Sequence, residues 1–509
     1  MEQAPGPDSR INELEELCDD LLQRRPLIVG SNRGPLEFRV TPEGRLQPRP
    51  GSGAVVTALS RLIQRYNFTW VANALGEGDR RALRDNLGEA IQSPLPMQRV
   101  SVRYVTTARR VYHKFYNIFC NPLLWFLQHY MWSPPYTPNV DGVAYDAWET
   151  GYRVVNQAFA DAIALESEKS AAAPLVMLHD YHLYLVPGMV REQVPAASIY
   201  HFIHIPWPSV HFWRLLPRSI RLEIFESLCT ADLIGFQTEE DARNFLHGCS
   251  QFIDQATVDV SSGTVDWKAH CTKVRTYPTS IDIDEVRKIA SSPRVAEYEQ
   301  ALAPMYDKHT IVRVDRAEPS KNIVRGFRSY QIFLERYPEF REQVNFFAFL
   351  VPARTHIKQY ERYREEIDNL VKNINTTYGT STWTPIQIFY ENNYAQALAG
   401  MRLYDTLLVN SVADGMNLVA KEGPVVNSRN GVLILSEGTG AYSQLRDGAL
   451  VVAPTDLHGG AEALYQAVTM GAQDRADRNA TIIEKVKNED VLDWLLKQLR
   501  ELDQITSSG

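Results

Sequence analysis

The sequence predicts an α/β protein of two doubly wound domains behind a helical extension, and three observations carry that prediction. Short, continuously apolar runs alternate with longer amphipathic stretches, first from Pro26 and again from about residue 309. Strands that are apolar throughout belong in a parallel sheet covered by helices on both faces. Polar residues break the pattern at the carboxyl ends of the runs, where open parallel sheets hold ligands. At 509 residues the chain is also too long for one core.

Residues 1–9 (MEQAPGPDS) are expected to be disordered. Ile11, Leu14, Cys18, Leu21 and Leu22 recur at helical spacing, so residues 10–25 read as an amphipathic helix docked on the body, within an extension of residues 1–26. "PLIVGSNR" is a strand ending at Asn32 and Arg33, followed by a helix from about Ala54. "PLVMLHDYH" ends at His179 and Asp180, and "SIYHFIHIPWP" carries His204 at its end. "ADLIGFQT" leads into a helix with Thr238 as N-cap and Glu239, Glu240 and Asp241 in its first turn. Turn signals in "TYPTSIDIDE" divide a first domain, 27–280, from a second, 281–482. The second series is "HTIVRVDR", "VNFFAFLVP", "PIQIFYE", "DTLLVNS", "GVLILSE" and "ALVVAP", with Arg316, Arg354, Asp414, Glu437 and Thr439 at strand ends. A last amphipathic stretch, about 483–503 within a segment 483–509, returns to brace the first domain. Two sheets with ligand ends of this kind are expected to face each other across a cleft.

A hydrophobic content of 44% with 22% charged residues is ordinary for a globular protein, and a net charge of −8 without a long basic run argues against a nucleic-acid partner. Cys18, Cys120, Cys229, Cys249 and Cys271 are odd in number and scattered, which points to buried thiols in a reducing compartment rather than disulfides or zinc. The first 26 residues lack a basic start with an apolar core, and no apolar run approaches a membrane span, so a cytoplasmic location without a membrane partner is expected.

"SVADGMNLVAKEG", residues 411–423, follows the apolar run Leu407-Leu408-Val409 and sets Asp414 and Glu422 around Gly415 and Asn417. A strand that breaks at Gly415 and restarts as a helix near Asn417 offers unpaired N–H groups and a positive dipole end to a phosphate. The flanking carboxylates then suit neutral hydroxyls, which together suggests a sugar nucleotide. An Asp-Gly turn before a helix with a surface Glu gives the same letters.

Seven motifs in order, "SNRGP", "HDYHL", "HIPWPS", "DLIGFQT", "VDRAEPSK", "DGMNLVAKE" and "GVLILSEGTGA", make the match specific. From Leu27 to about Leu502 the chain resembles the trehalose-6-phosphate synthase family, glycosyltransferase family 20. The resemblance implies two Rossmann-like domains facing across a cleft (GT-B), and transfer of glucose from a nucleotide-glucose (UDP-, GDP- or ADP-glucose) to glucose 6-phosphate. It further implies retention of configuration, no metal and no cofactor. Arg316 and Lys321 match the cations that grip the donor diphosphate and lead the catalytic candidates, with Asp180 on an acceptor hydroxyl and His204 on a donor hydroxyl. Donor binding falls to Gly53 in the loop "RPGSG", Asp414, Gly415, Met416, Asn417, Leu418 and Glu422, the last as the ribose acid. Arg33, Tyr116, Trp125 and Arg354 match residues that bind the acceptor phosphate. His179 and His182 read as structural, although a strand-end histidine such as His204 also suits a core.

Asn73, Trp207, Pro319, Asn322, Ala413 and Gly423 depart from the family pattern, and the departures bear on the acceptor and the nucleotide base. Alternatives are therefore a relative with another phosphorylated acceptor, of the validoxylamine-phosphate or glucosylglycerol-phosphate type, and a silent sugar-phosphate-binding regulatory subunit. The sequence leaves a homo-oligomer open.

Overall fold

The computed structural model describes residues 7–306, 308–354 and 357–507. Its contacts divide the chain into two compact units, one running to Tyr277 and resuming at Leu492, the other Pro278–Val491. In the first unit, parallel strands lie in the order His270–Thr276, Leu233–Phe236, Ser198–Phe202, Leu175–His179, Leu27–Gly30, Thr69–Asn73 and Ser101–Val105. Short antiparallel strands extend both edges. Leu175–His179 and Ser198–Phe202 are buried at every position, as strands covered on both faces must be. Strand order reverses between Leu27–Gly30 and Leu175–His179, so the switch point lies beside Asn32, Arg33, His179 and Asp180.

The second unit has six parallel strands in the order Ile386–Tyr390, Val344–Val351, His309–Arg316, Thr406–Val409, Val432–Ser436 and Leu450–Val452. Numbered along the chain this is 3-2-1-4-5-6, the order of dinucleotide-binding sheets. Successive side chains point to opposite faces, so Phe346 packs in one core and Phe347 in the other. The switch point falls between His309–Arg316 and Thr406–Val409.

Several local expectations change. Residues 1–6 lie outside the described residues, and the first helix is Pro7–Arg24, beginning ahead of residue 10 because a proline suits the first helical turn. The stretch after the first strand is a hairpin, Leu36–Val40 with Leu46–Pro50, before the helices Ala54–Ala58 and Ser60–Arg65. The closing amphipathic stretch is two helices, Ala472–Asn488 and Val491–Ser507. The change of unit falls at Leu492 rather than 483, because Ile482 and Val486 pack in a core of the second unit. Val491–Ser507 joins the first unit through Trp494 Nε1 donating to Tyr277 O at 3.1 Å and Tyr200 Oη donating to Gln498 Oε1 at 2.6 Å. Cys271 is exposed, unlike the other four cysteines. Among the described residues no helix is long and apolar enough to cross a membrane.

Candidate active site

In the second unit the strand His309–Arg316 delivers its last residue, Arg316, to a 3-10 turn, Pro319–Lys321. Fully buried Arg313 organises that turn: its guanidinium donates to Asp315 Oδ2 at 2.7 and 3.0 Å, to Lys321 O at 3.0 Å and to Asn410 Oδ1 at 3.2 Å. Burial raises the Asp315 carboxyl, opposed by Arg313 and then Lys321. Asn322, where the family pattern has glycine, is left-handed with φ 58°, a conformation asparagine tolerates, and its amide donates to Asn410 O and Pro454 O at 2.8 and 2.6 Å. Thus fixed, Lys321 Nζ forms an ion pair with Asp414 Oδ2. That oxygen also accepts from Ser411 Oγ at 3.2 Å and Asn417 Nδ2 at 3.0 Å.

The helix after Gly415 spans Val419–Val426, starting later than Asn417 because Asn417 is itself left-handed at φ 71°. Its side chain accepts from Ala420 N at 3.3 Å. The loop before it is clamped by "EGTGA": Asp414 N donates to Gly438 O at 2.9 Å, Gly440 N to Asp414 O at 3.0 Å and Ala441 N to Met416 O at 2.9 Å. A Cβ on Gly440 would lie 1.8 Å from Gly415 O, so only glycine permits this approach. The N–H groups of Met416, Asn417 and Leu418 donate no hydrogen bond among the described residues. Burial pushes Glu422 up to about 7, partly opposed by Tyr394 Oη donating to Oε1 at 3.2 Å. Its neighbour Lys421 points elsewhere and donates to Thr279 O at 2.7 Å.

Arg354 is left-handed at φ 42° and donates to Tyr360 Oη at 2.6 Å and Glu318 Oε2 at 3.1 Å. Glu318, which sequence reasoning passed over, also pairs with Arg316 at 2.9 Å. The only signal for it was an acid within "VDRAEPSK", between two cations.

The first unit carries the other candidates, and Arg33, Tyr116, Trp125, Asp180 and His204 lie about its switch point. Arg33 is exposed, and its charge acts on Tyr112, whose hydroxyl is nevertheless raised by burial. Tyr112 stacks on Tyr116 at 5.6 Å, and Tyr116 on His182 at 5.9 Å. Trp125 closes the same helical run, Lys114–Trp125, and is buried against His129 and Tyr181 at 3.9 and 5.6 Å. Gly53, at φ 143°, caps the helix Ala54–Ala58 in a backbone region other residues avoid. Asp180 has φ 75°, a strained conformation of the kind found at functional sites, and its carbonyl accepts from His201 Nε2 at 3.1 Å. His179 Nδ1 lies 3.2 Å from His204 Nε2. The predicted acceptor set is divided, with Arg33, Tyr116 and Trp125 in the first unit and Arg354 in the second.

Two departures from the family pattern are packing positions rather than specificity positions. Trp207 is fully buried among Tyr184, Trp213, Phe225, Phe236 and Phe245. Gly423 faces Leu407 and Tyr404, where a Cβ would lie 2.4 Å from the leucine. Asn73 donates to Asn32 Oδ1 at 2.8 Å and so orients the residue next to Arg33.

Burial holds His201 and His204 down to about 3 and His179 well below its ordinary value, so all three are neutral in the folded protein. Their stability contribution is fully present above about 6.5, the unfolded value, and is lost as pH falls below it, because the unfolded chain then binds three protons the folded one refuses. Buried Asp241, raised to about 7, acts in the opposite sense between 7 and 3.8. Within the first unit the three histidines outweigh Asp241, so its stability is expected to fall as pH drops from about 6.5 toward 5. Urea midpoints at pH 7, 6 and 5, followed by tryptophan fluorescence, check this, since eight of nine tryptophans lie in the first unit. A flat profile would mean that the histidines are protonated in the fold.

The model of glycosyltransferase family 20 matches residues 25–504. The α,α-trehalose-phosphate synthase (UDP-forming) of Schizosaccharomyces pombe is 31% identical, covering 97% of this chain and 93% of that protein. The validamine 7-phosphate valienyltransferase of Streptomyces hygroscopicus subsp. jinggangensis is 30% identical, covering 93% of each. Against α,α-trehalose-phosphate synthase (UDP-forming) A of Dictyostelium discoideum identity is 29% over 95% of this chain, which spans 63% of that relative's length. Among solved structures, trehalose-6-phosphate synthase from E. coli bound with UDP-2-fluoro glucose superposes with TM-score 0.80 at 25% identity, covering 94% and 99% of the two chains. The α,α-trehalose-phosphate synthase (UDP-forming) of Burkholderia xenovorans in complex with glucose-6-phosphate gives 0.78 at 26% identity, covering 94% and 100%. A match this long, over two parallel doubly wound sheets with their candidate residues at the switch points, leads to one conclusion: the chain belongs to glycosyltransferase family 20 and has its GT-B fold.

Proposed function

We propose that this glycosyltransferase moves glucose from a nucleotide-glucose to glucose 6-phosphate with retention of configuration, giving α,α-trehalose 6-phosphate, and that it works in the cytoplasm. One observation carries the reading: at the second switch point, where Arg316 ends its strand, Lys321 and the Asn417 side chain meet on Asp414, and the adjoining N–H groups of Met416, Asn417 and Leu418 donate no hydrogen bond among the described residues. Cations and helix-start N–H groups suit a diphosphate, and carboxylates suit sugar hydroxyls.

In this reading Arg316 and Lys321 bind the donor diphosphate, Asp414 the glucose hydroxyls and Glu422 the ribose, while Gly53 and Gly415 let backbone approach closely. Arg33, Tyr116, Trp125 and Arg354 hold the acceptor phosphate. Asp180 accepts from an acceptor hydroxyl, and His204, neutral because of burial, meets a donor hydroxyl. The acceptor hydroxyl attacks the anomeric carbon on the face the nucleotide leaves. The bond to the phosphate oxygen breaks with its electron pair, that oxygen takes the attacking proton, and Arg316 and Lys321 stabilise the growing charge.

A second reading, transfer to a phosphorylated cyclitol, is favoured by the valienyltransferase relative. A donor-by-acceptor assay separates the two: UDP-, GDP- and ADP-glucose each offered with glucose 6-phosphate, glycerol 3-phosphate and a cyclitol phosphate. The expected product is α,α-trehalose 6-phosphate with release of a nucleoside diphosphate. Turnover with a cyclitol phosphate alone would replace the first reading by the second, and binding without turnover of any pair would leave a silent sugar-phosphate-binding subunit.

A further inference from the structure

We propose that Glu318 is a positioning residue that holds Arg316 and Arg354 side by side, joining the donor-diphosphate and acceptor-phosphate contacts through one carboxylate. The proposal rests on the assignment of those two arginines to the two substrates. Glu318 is fully buried, with Oε1 2.9 Å from Arg316 Nη2 and Oε2 3.1 Å from Arg354 Nη1. Each oxygen of a single carboxylate therefore serves one guanidinium. Two like charges drawn to one carboxylate repel, and water is excluded from that carboxylate, so its negative charge is what keeps them adjacent.

The surroundings fit such a role. Arg354 is fixed from a second side by the Tyr360 hydroxyl at 2.6 Å, with its guanidinium 5.3 Å from that ring, and its left-handed backbone is a strain the loop maintains. Arg316 is 47% exposed at its side chain, whereas Glu318 is 0%, so the arginine is anchored at its inner edge and presents its outer edge to solvent. A guanidinium has five N–H donors and can keep Glu318 while gripping a phosphate, which an ammonium cannot do in the same geometry. The backbone of Glu318 serves the same turn: Lys321 N donates to Glu318 O at 3.1 Å, and Glu318 N to Arg316 O at 2.8 Å.

The test is calorimetric binding of glucose 6-phosphate, and separately of UDP, GDP and ADP, to the full chain and to Glu318→Gln, Arg316→Ala, Arg354→Ala and Glu318→Gln/Arg354→Ala, with thermal midpoints read on each. Glu318→Gln is expected to weaken glucose 6-phosphate and the bound nucleotide by about tenfold each. The glucose 6-phosphate loss should vanish in the Arg354→Ala background, while the nucleotide loss persists. Glu318→Asp, which keeps the charge, should restore part of both affinities and serves if the glutamine variant does not fold. Unchanged affinities in the Glu318 variants beside weakened Arg316→Ala and Arg354→Ala would overturn the proposal and spare the substrate assignment. An equal glucose 6-phosphate loss with and without Arg354 would also overturn it, since Glu318 would then act through the fold. Unchanged affinities in both arginine variants would remove the assignment and the proposal together.

Discussion

Alanine in place of Arg316 or Lys321 is expected to lower turnover by about a hundredfold or more, with a smaller change in the Michaelis constants. In the proposed reaction the leaving diphosphate gains charge as the glucosyl bond breaks, so a cation fixed at that oxygen stabilises the transition state more than bound substrate. The two variants should differ in a second respect. Lys321 is paired with Asp414, so Lys321→Ala removes that cation from a carboxylate that also accepts from Ser411 and Asn417, and disturbs the glucose contacts as well. Arg316→Ala spares Asp414, and its loss should fall more purely on turnover. Steady-state rates at saturating glucose 6-phosphate with varied donor separate these effects. Near wild-type turnover by either variant would remove that residue from the chemistry.

Why these residues could be found at all is a matter of strand physics. A strand buried on both faces, such as Val344–Val351, must be written in apolar letters, so its end is visible as the first polar residue. That is how His179 with Asp180 beside it stood out, and why the six strands of the second sheet and Leu27–Gly30, Leu175–His179, Ser198–Phe202 and Leu233–Phe236 of the first were legible, whereas Thr69–Asn73, Ser101–Val105 and His270–Thr276 were not read as strands. The hairpin Leu36–Pro50 was not legible either, because a small, half-exposed ribbon can be built from polar residues and prolines that resemble a loop. Side-chain direction was equally invisible. Trp207 and Gly423 sit inside or beside motifs and read as specificity positions, yet both face a core. Glu318 shows the converse: a long-range pairing with Arg354 gives it importance, and no local spacing encodes that contact.

Arg313→Met is expected to destabilise the second unit by about 3–5 kcal/mol, because it strands the buried Asp315 carboxylate without its cation. The apolar double variant Arg313→Met/Asp315→Leu should recover much of that stability, since a buried ion pair adds little over a well-packed apolar pair. Activity should not recover with it. The guanidinium of Arg313 donates to Lys321 O and to Asn410 Oδ1, and Asn410 in turn meets Asn322 through its carbonyl, so the arginine sets the turn that aims Lys321. Neither methionine nor leucine can donate those bonds. Denaturant midpoints and turnover measured on the same preparations therefore test two roles separately. If both return together in the double variant, Arg313 only balances a charge; if stability alone returns, the buried arginine positions the residue proposed to stabilise the leaving group.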